Sequence, residues 1–205
     1  MLCKAELKEK VVVTALTVFR ENGIKSITMD DIAAMLKISK RTLYEIFEDK
    51  EALLKECIIY HQYMAQEVWK EIVSDSTNVL EILLKCYRKS VEVLHKTDRR
   101  FFEDIKKYPE AYKLIMSYRK QDGDRIADFL RKGVAQGLFR EEINYEIIQF
   151  LLREQFNALK NMDICRQYAP LEVFETIMLT CLQGISTQKG ADELEKFVYA
   201  YRKKN

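Results

Sequence analysis

The chain has 205 residues, 48% of them apolar and 32% charged, with a formal net charge of +2. Six glycines and two prolines supply too few turn residues for a many-stranded β fold, so helix is the expected state. The near-neutral balance excludes a broadly basic nucleic-acid-coating protein, and any DNA contact has to come from a few cations placed locally.

Five cysteines, Cys3, Cys57, Cys86, Cys165 and Cys181, are scattered and form no Cys-x-x-Cys pair. They read as buried or idle thiols in a reducing compartment. No apolar run approaches the ~20 residues of a membrane span, and the opening MLCKAELKEK lacks an apolar signal core. A cytoplasmic location is the expectation.

Leu7, Val11, Ala15 and Val18/Phe19 share one helical stripe and predict a first helix over 3–22, ended by Gly23. Thr28 reads as the N-cap of a short second helix, with Asp30 and Asp31 at its positive end and Ile32, Met35 and Leu36 as its apolar face. Ser39 caps a third, 40–47, with Leu43 and Phe47 inward. Asp49 caps a longer fourth, through Leu53, Leu54 and Cys57 to about Val73. Ile82, Leu83, Cys86, Ser90 and Leu94 mark a fifth, and 98–107 holds a short one. Pro109 opens a helix to about Gln136, with an irregularity expected at 121–124 and Gly137 as its stop. Segments 144–161, 170–185 and a weaker amphipathic 191–204 complete an all-α pattern without repeats or low-complexity linkers.

The informative stretch is 28–50, TMDDIAAMLKISKRTLYEIFEDK. Two short helices across a tight turn match the geometry that lays one helix in the major groove of DNA. Ile32, Leu36, Ile38, Leu43 and Phe47 would hold the pair at its angle. Lys40, Arg41, Thr42, Tyr44 and Glu45 remain on or near the free face.

The residues from Val11 to Leu54 resemble the N-terminal DNA-binding domain of the TetR family of bacterial transcriptional regulators. The resemblance rests on Ala15, Phe19 and Gly23, then Thr28, Ile32-Ala33, Ile38-Ser39, Thr42-Leu43-Tyr44, Phe47, Lys50 and Leu53, in order and at fixed spacing. A later stretch, 133–150, is also similar to family members. The resemblance implies a ligand-responsive regulator, a repressor by expectation, that binds a pseudo-palindromic operator in double-stranded DNA as a homodimer. A small effector would release it. It implies that Lys40 and Arg41 reach base edges or nearby phosphates, and that Thr28, Thr42, Tyr44 and Lys50 hold phosphates. Residues 1–50 would form the DNA-binding domain and 51–205 a helical bundle for effector binding and dimerisation. Two positions depart from the family pattern: Lys37 stands where glycine is usual before the turn, and Ile46 where many members carry histidine. A left-handed Lys37 would carry strain of roughly 1 kcal/mol.

The family's dimer interface is a bundle of the last two long helices, here 144–161 and 171–185. Thr176, Thr180 and Gly184, spaced by four, would admit a close partner helix, either of a second copy or of the same chain. Tyr87, Tyr118, Phe150 and Phe156 are candidate effector contacts or simply core. Gln155 is a polar residue within the stripe Ile148, Leu152, Phe156 and Leu159, and its partner would be a neighbouring helix or a ligand.

Neither an enzyme nor a metal protein is expected. Helix-bundle di-iron sites need two Glu-x-x-His motifs, and Glu92–His95 is the one present, the remaining histidine being His61. There is no P-loop, glycine-rich nucleotide turn or Gly-x-Ser-x-Gly elbow. Hence no cofactor, catalytic residue or metal ligand is assigned. A thiol-based redox regulator using Cys57 or Cys86 is the alternative reading.

Overall fold

The computed structural model describes residues 3–158 and 167–202, with the backbone alone at 119–127, 152–153, 155–158, 170–171 and 200–202. The described helices are α1 (Lys4–Asn22), α2 (Met29–Leu36), α3 (Lys40–Tyr44), α4 (Lys50–Ser74), α5 (Val79–His95), α6 (Arg99–Asp104), α7 (Pro109–Ala135), α8 (Tyr145–Ala158), α9 (Pro170–Ile185) and α10 (Gln188–Arg202). A 3-10 turn, Ile105–Lys107, follows α6. Among the described residues extended pairing is limited to one bridge, Phe139 with Ser186. The all-α architecture stands.

Local chemistry sets the ends of these helices. Cys3 caps α1: its thiol accepts the Glu6 N–H at 3.4 Å while Glu6 accepts the Cys3 N–H at 2.7 Å. Gly23 follows at φ 81°, and a Cβ there would lie 2.8 Å from that of Arg100, so only glycine fits. Asp49 accepts the Ala52 N–H at 2.7 Å and starts α4.

Three segments differ from the sequence expectation. The third helix stops at Tyr44 rather than Phe47, because the Ile46 and Phe47 N–H groups both turn back onto the Leu43 carbonyl. Helix α7 runs unbroken through 121–124 to its stop near Gly137, which adopts φ 70°. The last helix begins at Gln188 rather than 191, because Thr187 accepts the Gly190 N–H at 3.2 Å and caps it.

The chain forms two compact units, residues 1–68 with 95–119, and 69–94 with 120–205. The first is centred on Val11, Ala15, Phe19, Ile24, Ile32, Leu43, Leu53 and Leu54, none of them reached by solvent. The second is built on Leu80, Leu130, Leu138, Phe139, Leu182 and Ile185.

A titratable cluster sits beside the first core. Burial pushes the Cys57 thiol up to about 12, and its Sγ donates to the Val12 carbonyl at 3.4 Å. Burial, helped by the Arg20 guanidinium, pushes the His61 imidazole down to about 4. The fold therefore accommodates His61 in its neutral form. The stability this contributes is complete above pH 6.5 and is lost as pH falls towards 4, where the unfolded chain takes up a proton that the folded chain resists. The loss is roughly 3 kcal/mol at most. Denaturant titrations at about pH 7 and pH 4.5 are expected to show this drop, and His61→Gln to reduce it; an undiminished drop in the variant assigns it to other groups.

Candidate nucleic-acid interface

The turn between α2 and α3 is built from reciprocal caps. Thr28 donates its N–H and hydroxyl to one oxygen of Asp31, at 2.7 and 2.6 Å, and accepts the Asp31 N–H at 3.1 Å. Ser39 accepts the Thr42 N–H at 3.0 Å, and the two hydroxyls lie 2.8 Å apart. Between these caps Lys37 stands at φ 55°, ψ 39°, left-handed. Its N–H bonds the Ala34 carbonyl and the next N–H, of Ile38, the Ala33 carbonyl, both at 3.0 Å. The conformation that glycine adopts without penalty is thus imposed on a lysine.

Leu43 is fully buried and Phe47 nearly so, which turns the opposite side of α3 outward. Lys40, Arg41 and Tyr44 are exposed, as is Thr28, while Thr42 is half-buried. Both cations already have partners. The Lys40 ammonium pairs with Asp30 on α2, and Arg41 Nε lies 2.9 Å from Glu45 Oε1. Spacing along α3 identified the cations but not the carboxylates that meet them.

One placement, that of Met35, differs from the sequence reading. Met35, expected inward, is half exposed, and Ala33 takes the buried position beside Ile32. Ile46 packs against the first core, so its side chain faces inward. Lys50, at the start of α4, is half-buried, with its ammonium 5.7 Å from the Phe19 ring centre and 6.0 Å from that of Tyr108. Burial lowers its pKa from the usual lysine value.

Of the expected effector residues with described side chains, Tyr118 belongs to the first unit and Tyr87 and Phe150 to the second. The Tyr87 ring stacks on Phe174 at 5.5 Å in the second unit. Tyr118, half-buried, packs against the core of the first unit, and Phe150 is 52% exposed on α8. The side chains of Gln155 and Phe156 lie outside the described ones. Within the second unit, Thr176, Thr180 and Gly184 form an exposed line along α9, and a Cβ on Gly184 would meet nothing within 4 Å. Helix α8 exposes Ile147, Phe150 and Leu151.

Burial raises Cys86 to about 11 and also raises Cys181, so like Cys57 they hold no thiolate near neutral pH; Cys165 lies outside the described residues. Glu92 and His95 are both exposed, and among the described residues no group of three His, Cys, Asp or Glu converges to hold a metal. No helix among them is long and apolar enough to cross a membrane.

Residues 11–57 match the family described as bacterial regulatory proteins, tetR family. The chain is 23% identical over 159 residues to the HTH-type transcriptional repressor KstR2 of Mycolicibacterium smegmatis, covering 73% of this chain and 76% of that one. Residues 11–57 thus carry the DNA-binding region of the tetR family of bacterial regulatory proteins. The KstR2 structure from Mycobacterium tuberculosis, a ketosteroid transcriptional regulator, has the same fold: TM-score 0.60 at 22% identity, over 88% of this chain and 95% of the other. A transcriptional regulator from Saccharomonospora viridis in complex with choline overlays at TM-score 0.71 and 16% identity, over 90% of this chain and all of that one.

The TetR match spans both caps, the Lys37 turn and the first two turns of α4. Lys37 is the strained residue within it. Replacing Lys37 by glycine removes the left-handed penalty and is expected to raise stability by about 1 kcal/mol, a melting-temperature gain of about 2–4 °C. An unchanged or lower melting temperature would show that the turn carries no such strain.

Proposed function

We propose that this chain is a TetR-family regulator, that it represses transcription by binding a pseudo-palindromic operator in double-stranded DNA as a homodimer, and that a small organic effector releases it. The observation that carries this reading is a five-residue helix with one side anchored by Leu43 and the other offering Lys40, Arg41 and Tyr44. The major groove, about 12 Å wide, admits one such helix. Lys40 and Arg41 read base edges or adjacent phosphates, Arg41 being suited to the two acceptors of guanine. Thr28, Thr42, Tyr44 and Lys50 hold the backbone and set the register. Residues 1–50 perform this reading in the cytoplasm, and 51–205 bind the effector and dimerise. Relatives named for a ketosteroid and solved with choline support a small-molecule effector without fixing its class for this chain.

So short a helix touches too few bases alone, and a two-fold dimer reading half-sites ~34–36 Å apart supplies the rest. The exposed line Thr176, Thr180 and Gly184, with Ile147, Phe150 and Leu151 in the same unit, supports an interface made by α8 and α9. The effector acts through unequal affinity for two dimer geometries, since equal affinity shifts nothing.

Two experiments test this. A selection for bound genomic fragments yields the operator; in gel-shift titrations at fixed salt, replacing Lys40 and Arg41 together by alanine is expected to weaken operator binding about a hundredfold while helicity and dimerisation persist. Retained affinity would remove α3 from the reading role. Independently, Thr180→Arg is expected to give monomers by light scattering, and an intact dimer would move the interface away from α9.

A further inference from the structure

The buried carboxylate of Asp104 lies outside the helix-turn-helix in sequence yet organises the surface beside it. It is 7% exposed at the end of α6. One oxygen accepts the Lys25 N–H at 2.8 Å, from the loop between α1 and α2 and 79 residues distant. The other takes the Lys107 ammonium, from the 3-10 turn, at 2.9 Å. The Lys50 ammonium leans on the ring of Tyr108, the residue after Lys107. Asp104 thus holds the backbone of Lys25 and the ammonium of Lys107, and it acts at longer range on the ammonium groups of Lys25 and Lys50, the latter also faced by Asp31.

The arrangement is held rigidly. The Asp98 N–H donates to the Arg20 carbonyl at 2.7 Å, and Gly23 admits α6 against the end of α1 with no room for a Cβ. Lys25 is exposed, and so is the Lys107 side chain, at 60%. Lys25 stands three residues before Thr28, and Lys107 precedes Tyr108, on whose ring Lys50 leans, so the two cations adjoin Thr28 and Lys50, the residues assigned to phosphates above.

We propose that Lys25 and Lys107 form a second phosphate clamp, which grips the duplex backbone flanking the half-site read by α3. This rests on the reading of the helix-turn-helix as a DNA-binding surface. The partner is the phosphodiester backbone of double-stranded DNA, and the contact carries no sequence information. It adds to the few local cations, Lys40, Arg41 and Lys50, on which a chain of net +2 has to rely. Each lysine that neutralises a phosphate releases condensed counterions, so its presence is written into the salt dependence of binding, at about 0.9 of slope per contact.

The full-length protein is titrated against two probes, a random-sequence duplex of about 40 base pairs and the selected operator, across a salt series. The double variant Lys25→Gln, Lys107→Gln is expected to reduce the slope by about 1.8 on both probes. It is expected to weaken both equally, leaving their affinity ratio unchanged. Lys107→Arg is expected to keep the slope, which guards against loss through disturbed packing, and Lys132→Gln, exposed in the second unit, to leave it untouched. An unchanged slope in the double variant overturns the clamp, as does weakening confined to the operator. If the Lys40 and Arg41 replacements leave operator affinity intact, the reading of α3 fails instead, whatever the slope.

Discussion

A helix of five residues has no stability of its own, because nucleation alone outweighs what so few hydrogen bonds return. Helix α3 exists because Leu43, at zero exposure, and Phe47 are buried against residues of α1, α2 and α4. Burial of such side chains contributes about 1.5–3 kcal/mol each, and the Ser39 cap adds about 1 kcal/mol. The first unit is arranged around that need. Phe19 and Ile32 form the floor, and Thr28 fixes the entry of α2. The left-handed Lys37 persists because the caps on either side over-determine the turn between them.

What was legible in the sequence was local. Thr28, Ser39 and Asp49 announce helix starts through side chains that reach only three residues ahead. Gly23 and Gly137 mark ends by their positive φ. The misjudged positions are those where a tertiary partner decides. Position 35 turns outward because Ala33 fills the close approach to the core. The third helix ends early because Phe47 must be buried and the chain turns to deliver it. The stretch 121–124 stays helical because a 27-residue helix tolerates Gly123 there, as it does Gly133 further on, at about 1 kcal/mol each. No pattern links Asp104 to Lys25 or brings 95–119 into the first unit. Both arise from chain return over long distances.

The electrostatics of α3 follow the same division. Lys40 and Arg41 are legible as cations, but their pairing with Asp30 and Glu45 depends on the packing of α2 on α3 and on where α3 ends. Exposed pairs of this kind are worth 0–1 kcal/mol and weaken with salt. A DNA phosphate or guanine edge can displace them at little cost. After displacement the carboxylates remain, and beside a misaligned backbone they repel phosphates. In the proposed reading the acids therefore penalise a poor register more than a good one, in the manner of built-in repulsion against wrong partners.

The second unit presents a surface of a different kind. Ile147, Phe150 and Leu151, spaced i, i+3, i+4, are each about half exposed on α8. Scattered apolar residues on a monomer need no explanation, but a contiguous stripe at helical spacing does. The stripe would supply hydrophobic energy and the line Thr176, Thr180, Gly184 would supply closeness, because small side chains let two helix backbones approach. In the proposed reading, a regulator whose recognition helix is five residues long multiplies its contacts by symmetry. In the proposed dimer, the exposure of Phe150 has its physical account as part of the face between copies. Its position on α8 expresses the same constraint as the brevity of α3.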